Sequence, residues 1–188
     1  ADQYLAPLRY EFRLQNIPLF CDEPTTPENT APARAIHAAL DLLRGGLTTT
    51  ALLRLLKTGL VDLPDTQQCA LENYAYTWPL TAADWRGTFT RSAAGYAGRD
   101  TEQDVQTLAD AEAARAFLIE RVAAFVKKAA GAPAAALTKQ IFIFLQALGA
   151  EKTLDRLAGE LRTQGRLPAA DEVLREWNTV MGLLDQLA

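Results

Sequence analysis

The chain has 188 residues, of which 49% are apolar and 22% charged, with a net charge of -4 at neutral pH. These values exclude a disordered segment, and no apolar run approaches the ~20 residues that a bilayer span requires. The length suits one core, or a core with a small appended piece. Cys21 and Cys69 stand far apart without a C-x-x-C partner, so we expect reduced cysteines in a soluble, cytoplasmic protein.

The amino-terminal residues combine two kinds of pattern. Leu5, Leu8 and Phe12 share one face of a predicted short helix, in which Pro7 is tolerated only within the first turn. Residues 17 to 21, Ile-Pro-Leu-Phe-Cys, have the length and composition of a β-strand. A lone strand cannot pair its edges, so this strand would need a sheet that the chain hardly supplies.

From Pro32 onward the apolar residues repeat at helical spacing. Residues 85 to 100 have weak periodicity and predict a loop. Helices are predicted from Pro32 to Gly45-Gly46, after a threonine N-cap among 48 to 50, after an Asp65–Gln68 capping box, from 101 to 130, and around Ile141, Leu157 and Trp177. We predict a mainly α fold, an irregular multi-helix bundle over residues 32–188, preceded by a helix and strand stub with a proline-rich crossing over residues 1–31.

Lys57-Thr58-Gly59 raises the question of a nucleotide site. A phosphate-binding loop requires G-x-x-x-x-G-K-[ST], whereas here Gly59 follows Lys57, so the order is wrong. The pattern instead predicts the end of a helix, with Lys57 near the negative end of the helix dipole and Gly59 in a left-handed conformation. A phosphate contact by Lys57 remains as the alternative.

No catalytic motif is recognisable. His37 and Ser92 are the residues that a small hydrolase would use as base and nucleophile, but His37 lies on an amphipathic helical segment without an evident acid to orient it. The two cysteines and one histidine do not form a zinc-binding pattern. The sequence therefore predicts no catalytic, cofactor-binding or metal-binding residue in this chain.

The segment from 85 to 99 contains three arginines, three aromatic residues and no acid: Arg86, Arg91 and Arg99 with Trp85, Phe89 and Tyr96. Arginines neutralise phosphates and aromatic rings stack on bases, so this composition predicts a nucleic-acid contact. Residues 48 to 99 hold five basic and four acidic side chains, whereas the remainder holds fourteen and nineteen. The alternative is a surface loop whose aromatic residues anchor it to the core.

The order of several short segments resembles a known family. These segments are "LQNIPLFCDE", "LLRLLKTGLVDL", "LENY" with the following Trp85, and the late "DEVLREWNTVMGLLDQLA". Together they resemble the AddB subunit of bacterial AddAB-type ATP-dependent helicase/deoxyribonucleases. Residues 87 to 150 share only the helical character. The family usually has glycine-containing residues between "LENY" and the tryptophan, where this chain has "AYTWPLTAADW".

The resemblance implies a piece of a larger chain, namely a helical insertion in the second motor domain with residues 17 to 21 as the strand of its stub. It implies ATP, magnesium and an iron–sulfur cluster bound outside this segment, and an AddA-like partner subunit. We expect the segment to support or guide DNA during double-strand end processing and recombinational repair. Lys57, Arg86, Arg91 and Arg99 would contact phosphates, and Trp85 would pack or stack. Whether to describe the chain as an enzyme stays open, because only the parent resembles one.

The second hypothesis is a helical protein–protein interaction module with no DNA contact. Val173, Trp177, Val180 and Leu184 form a near-heptad stripe that would dock a partner. Solvent exposure separates the two hypotheses, since a buried Trp177 removes the proposed anchor.

Overall fold

A computed structural model describes residues 2–19, 27–96 and 100–188. Over these ranges the chain forms nine α-helices, one 3₁₀ turn at Pro27–Asn29 and no β-strand. The helices are α1 Asp2–Leu14, α2 Ala31–Gly45, α3 Thr49–Leu56, α4 Asp65–Thr77, α5 Ala82–Arg86, α6 Glu102–Ala129, α7 Ala134–Ala147, α8 Ala150–Thr163 and α9 Leu167–Gln186. The prediction of a mainly α fold is confirmed.

The predicted strand over residues 17 to 21 is wrong where the structure describes it. Residues 17 to 19 have no regular secondary structure, and residues 20 and 21 lie outside the described ranges. A strand needs a neighbour that accepts and donates backbone hydrogen bonds, and the described part of the chain contains no second strand. The Ile17 N–H instead donates to the Phe12 carbonyl at 2.9 Å, which closes the end of α1.

None of the described side chains of helix α1 belongs to either hydrophobic cluster, and Leu8 and Tyr10 are exposed. We expected Pro7 to lie in the first turn of the helix, but it lies further inside. Because proline lacks the N–H, α1 loses one of its internal hydrogen bonds there. The predicted division of the chain at residue 31 stays a prediction.

Most helix ends follow the predicted signals. Thr48 caps α3 by accepting from the Ala51 N–H at 3.3 Å, and Gly59 has a φ of +74° just beyond that helix. Lys57-Thr58-Gly59 therefore ends a helix, as predicted. The Asp65–Gln68 capping box is absent, because Pro64 occupies the N-cap position and the Gln68 amide donates to the Leu63 carbonyl at 2.8 Å.

Helix α6 is the centre of the bundle. It packs against α4, α7, α2 and α5. Its buried side chains recur at helical spacing: Ala111, Ala114, Arg115, Leu118, Val122, Phe125 and Ala129. The Phe125 ring stacks on Phe144 of α7 with centroids 4.6 Å apart. Each fully buried large side chain contributes roughly 1.5–3 kcal/mol of transfer free energy before entropy is subtracted.

Helices α8 and α9 pack on each other through a second, smaller cluster of Ala158, Leu161 and Ala170. Further along α9, Trp177 joins the main core with 8% of its surface exposed, and Val180 is also buried. The stripe that the second hypothesis requires as a docking surface is therefore used at its centre for internal packing.

The loop between α3 and α4 is fastened to the junction of α7 and α8. The Asp62 N–H donates to the Leu148 carbonyl at 2.8 Å, and the Asp62 carboxylate pairs with Lys152 Nζ at 2.7 Å. Gly149 lies in the sequence between Leu148 and Lys152 and has a φ of +82°. A Cβ added to Gly149 would lie 2.5 Å from the Asp62 Cβ. This junction thus excludes a side chain for two independent reasons.

We predict that Gly149→Ala destabilises the chain more than Gly165→Ala does. Gly165 has a similar φ of +74° but nothing within 4 Å of an added Cβ, so its substitution reports backbone strain alone, about 1–3 kcal/mol. At Gly149 the clash should add roughly 1–3 kcal/mol. Urea unfolding of both variants measures the difference, and equal losses would contradict the close contact with Asp62.

Candidate nucleic-acid interface

The segment after α4 is built around a tryptophan that faces inward. Trp85 of α5 has 0% of its surface exposed. Its indole Nε1–H donates to Thr49 Oγ1 at 3.0 Å, and its ring meets Phe89 edge to face at 5.6 Å. Of the two predicted roles for Trp85, packing is the one that this structure shows. A buried ring cannot stack on a base unless α5 moves away.

The other two aromatic residues of this segment differ from each other. Phe89 is buried and stacks on Tyr74 of α4, with ring centroids 4.2 Å apart. Tyr96 is exposed and meets Trp78 edge to face at 4.6 Å. Trp85 and Phe89 thus anchor the segment to the core. This agrees with our alternative prediction of a surface loop held by its aromatic residues.

A charged pair on α6 holds this segment in place. Arg115, 7% exposed, donates from Nε to Glu112 Oε2 at 2.7 Å and from Nη1 to the Trp85 carbonyl at 2.9 Å. The same Glu112 oxygen accepts the Phe89 N–H at 2.9 Å. Because both side chains are satisfied from several directions, their burial is tolerated and the backbone at residues 85 and 89 is fixed to α6.

The pKa of Glu112 reflects this environment. Partial burial acts to raise it, but hydrogen bonds from Arg115 and from the Phe89 N–H outweigh that effect and hold the pKa below its ordinary value. Glu112 is therefore ionised at neutral pH and keeps its pairing with Arg115.

Arg91 is exposed and already paired. Its guanidinium lies 3.2 Å from the Asp84 carboxylate and 5.3 Å from the centre of the Trp78 ring. The Thr81 hydroxyl and then the Thr81 N–H hydrogen bond to Asp84 and lower its pKa, with Arg91 acting in the same direction. Asp84 is thus ionised and neutralises Arg91 in the free protein.

Lys57 is also paired, across α3 and α4. Its ammonium lies 2.5 Å from Glu72 and donates to the Tyr76 hydroxyl at 3.1 Å. The hydrogen bond with Glu72, followed by that with Tyr76, raises the pKa of Lys57 above its ordinary value. Lys57 therefore stays charged at any physiological pH.

Arg86 differs from both. Its side chain is exposed at the end of α5 and makes no ion pair with any residue in the described ranges. Arg99 lies outside those ranges. Of the predicted phosphate contacts, Arg86 and Arg91 thus lie on the same segment, whereas Lys57 belongs to a different surface.

That second surface is a groove between α2 and α3, with a volume of about 610 Å³. We call it the α2–α3 groove. The polar side chains along it are Arg34, His37, Asp41, Thr49, Thr50, Arg54, Lys57, Thr58 and Tyr76. Sequence reasoning assigned only Lys57 of this set to DNA. The sequence does contain a pattern that predicts these two polar faces. Arg34, His37 and Asp41 recur every three to four residues, and so do Thr50, Arg54 and Lys57, so each set shares one face of its helix.

His37 and Ser92 lie in different parts of the structure. His37 is exposed on the α2–α3 groove, whereas Ser92 hydrogen bonds to Asp100 and to the Ala94 N–H. The structure shows no pairing of the two as base and nucleophile. Among the described residues, no group of three or more His, Cys, Asp or Glu side chains that could hold a metal ion is found.

The fold is that of a mainly α-helical domain with exposed cations. Within the described ranges, none of its helices qualifies as a candidate membrane span. No family model matches the chain. Curated proteins named as the B subunit of an ATP-dependent helicase/deoxyribonuclease do match it. The one from Alkaliphilus oremlandii is 28% identical over 99% of this chain, that from Alkaliphilus metalliredigens 26% over 99%, and that from Clostridium botulinum 25% over 94%.

The resemblance to AddB-type proteins is therefore confirmed along nearly the whole chain. The match covers only 16–17% of each of these relatives. The chain thus corresponds to about one sixth of the length of such a protein.

We predict that Arg115→Met destabilises the chain by about 2–3 kcal/mol, because it leaves Glu112 partly buried without its cation and the Trp85 carbonyl without its donor. Urea unfolding measures the loss. Arg156→Met, which removes an exposed pair with Glu160, is the control and should cost less than about 1 kcal/mol. Equal costs would show that the α6 pair does not hold the segment.

The lowered pKa of Glu112 also predicts a pH dependence. A carboxyl whose pKa is lower when folded adds stability above its unfolded pKa and loses it as the pH falls through the folded pKa. The melting temperature of the unmodified chain should therefore exceed that of Glu112→Gln at pH 7, and the difference should shrink below about pH 4.5. A difference that is constant down to pH 3 would contradict the assignment.

Proposed function

We propose that this chain is a noncatalytic helical domain of an ATP-dependent helicase/deoxyribonuclease subunit, and that it supports or guides DNA beside the motor. The observation that carries the proposal is the match of nearly the whole chain to proteins whose name states this activity. A supporting role suits a helical bundle with exposed cations.

The cations of residues 85 to 96 suit a contact with DNA phosphates. Arg86 has no carboxylate partner among the described residues, and Arg91 pairs with Asp84 on the surface. Exposed ion pairs contribute only about 0–1 kcal/mol, so a phosphate can replace Asp84 at small cost. Because Arg115 and Glu112 fix the backbone at residues 85 and 89, binding does not have to order that backbone.

The wider context belongs to the proposal as well. We propose that the parent acts in double-strand end processing and recombinational repair in the cytoplasm, together with an AddA-like subunit. ATP, magnesium and an iron–sulfur cluster would bind in parts of the parent beyond this segment. Arg99 remains a proposed phosphate contact. The role as a protein-docking module through α9 receives no support, because Trp177 and Val180 are buried.

We predict that Arg86→Glu combined with Arg91→Glu lowers the affinity of the chain for duplex DNA about tenfold and reduces its dependence on salt concentration. Fluorescence anisotropy with a labelled duplex at low salt measures both effects. The matched control is Arg175→Glu with Arg162→Glu: Arg175 is exposed without an ion pair in the described ranges, and Arg162 pairs with Asp171. Equal losses in test and control would mean that only net charge matters.

A further inference from the structure

Helices α7 and α9 leave a groove between them with a volume of about 610 Å³. We call it the α7–α9 groove. Each of its walls follows the spacing i, i+3 and i+7, so each wall is one helical face about two turns long. The residues at these positions are Ala135, Thr138 and Phe142 on one wall and Met181, Leu184 and Ala188 on the other.

The α7–α9 groove is mainly apolar, and its lining side chains carry no net charge. Its charged lining residues are one cation, Lys139, and one carboxylate, Asp185. The Thr138 hydroxyl donates to the Ala135 carbonyl of its own helix at 2.9 Å, so it needs no partner from an occupant. A polyanion gains no net attraction from such a surface, whereas the apolar face of another helix can bury area on it.

The end of α9 also exposes more apolar surface than its internal packing uses. Leu183 is 47% exposed and Leu187 64% exposed. Met181 and Leu184 are only partly buried, although they pack against the main core. On a helical wheel these two pairs lie on opposite sides of the buried Val180. Apolar residues on both sides of a packed face are typical of a helix that is covered from more than one direction.

A segment of the same polypeptide is the occupant that suits this groove best. The matched curated relatives have more than four-fifths of their length outside the match, since it covers 16–17% of them. Ala188 itself lines the groove, so a segment joined to it starts beside both walls. Such a segment binds at an effective concentration on the order of millimolar. A separate chain generally needs an interface above roughly 1,000 Å², and a groove two turns long is short for that.

We propose that the α7–α9 groove holds an amphipathic helix of the same polypeptide, formed by residues that follow position 188 in the parent subunit. The apolar face of that helix packs on Phe142, Met181 and Leu184. The proposal rests on the part of the proposed function that makes this chain one piece of a longer subunit. It does not depend on the DNA contacts proposed for Arg86 and Arg91.

A photocrosslink in the full-length parent subunit identifies the occupant. p-Benzoylphenylalanine replaces Phe142, whose ring it resembles, and mass spectrometry identifies the crosslinked peptide. We expect residue 142 to be joined to a peptide that follows position 188 of the same molecule. The same replacement at Ile143, which lines a different groove with α6, is the control and should not capture that peptide.

Two glycines provide a matched pair of variants. Gly182 lines the groove and Gly159 lies in α8, and an added Cβ meets nothing within 4 Å at either position. Gly182→Leu and Gly159→Leu should each raise the melting temperature of the isolated chain, because leucine favours a helix more than glycine does. In the parent, Gly182→Leu should block the groove and speed hydrogen exchange of residues 181–187 about tenfold, whereas Gly159→Leu should leave that exchange unchanged.

Each outcome supports the assignment or overturns it. A crosslink from residue 142 to a second copy of the chain or to another subunit overturns it, and so does the capture of no peptide at all. Equal hydrogen exchange of residues 181–187 in the isolated chain and in the parent means that the groove stays open, which overturns it as well. DNA binding is measured on the isolated chain, so the proposed DNA contact stands or fails separately from the groove.

Discussion

The buried guanidinium of Arg115 is the contact on which the arrangement of the proposed duplex-binding segment depends. Arg115 donates to Glu112 on the same helix, α6, and to a backbone carbonyl of α5. Glu112 in turn accepts the Phe89 N–H. A charge in this position is stable only when its hydrogen bonds are made. These hydrogen bonds therefore fix where the segment lies on α6. The backbone positions of its exposed arginines follow from that placement.

The exposed cations fall into two groups. Arg91 and Lys57 are neutralised by nearby carboxylates, which orient them but bind weakly enough to exchange for phosphate. Arg86 and Arg34 make no such pairs within the described ranges. Contacts that form and break at low cost are what the proposed guiding role requires, because they do not trap the DNA.

Two aromatic residues show what a linear pattern can and cannot reveal about a site. Trp85 lies among arginines in the sequence, and that composition predicted a stacking surface, yet its indole is fully buried against Thr49 and Phe89. Tyr76 lies beside no cation in the sequence, yet the fold brings it to Lys57 of another helix. Composition identifies residues that can bind DNA, but burial depends on contacts with distant segments.

Local signals in the sequence determined the helical class and most helix boundaries, because capping threonines, glycines and helical spacing act within a few residues of one another. They failed at Asp65, where Pro64 takes the N-cap, and at residues 17 to 19, where a strand pattern had no partner. Sequence order also determined the resemblance to AddB-type proteins. Only the tertiary structure decided which side chains reach solvent and which cations share a groove, since these depend on how α2, α3, α4 and α6 pack.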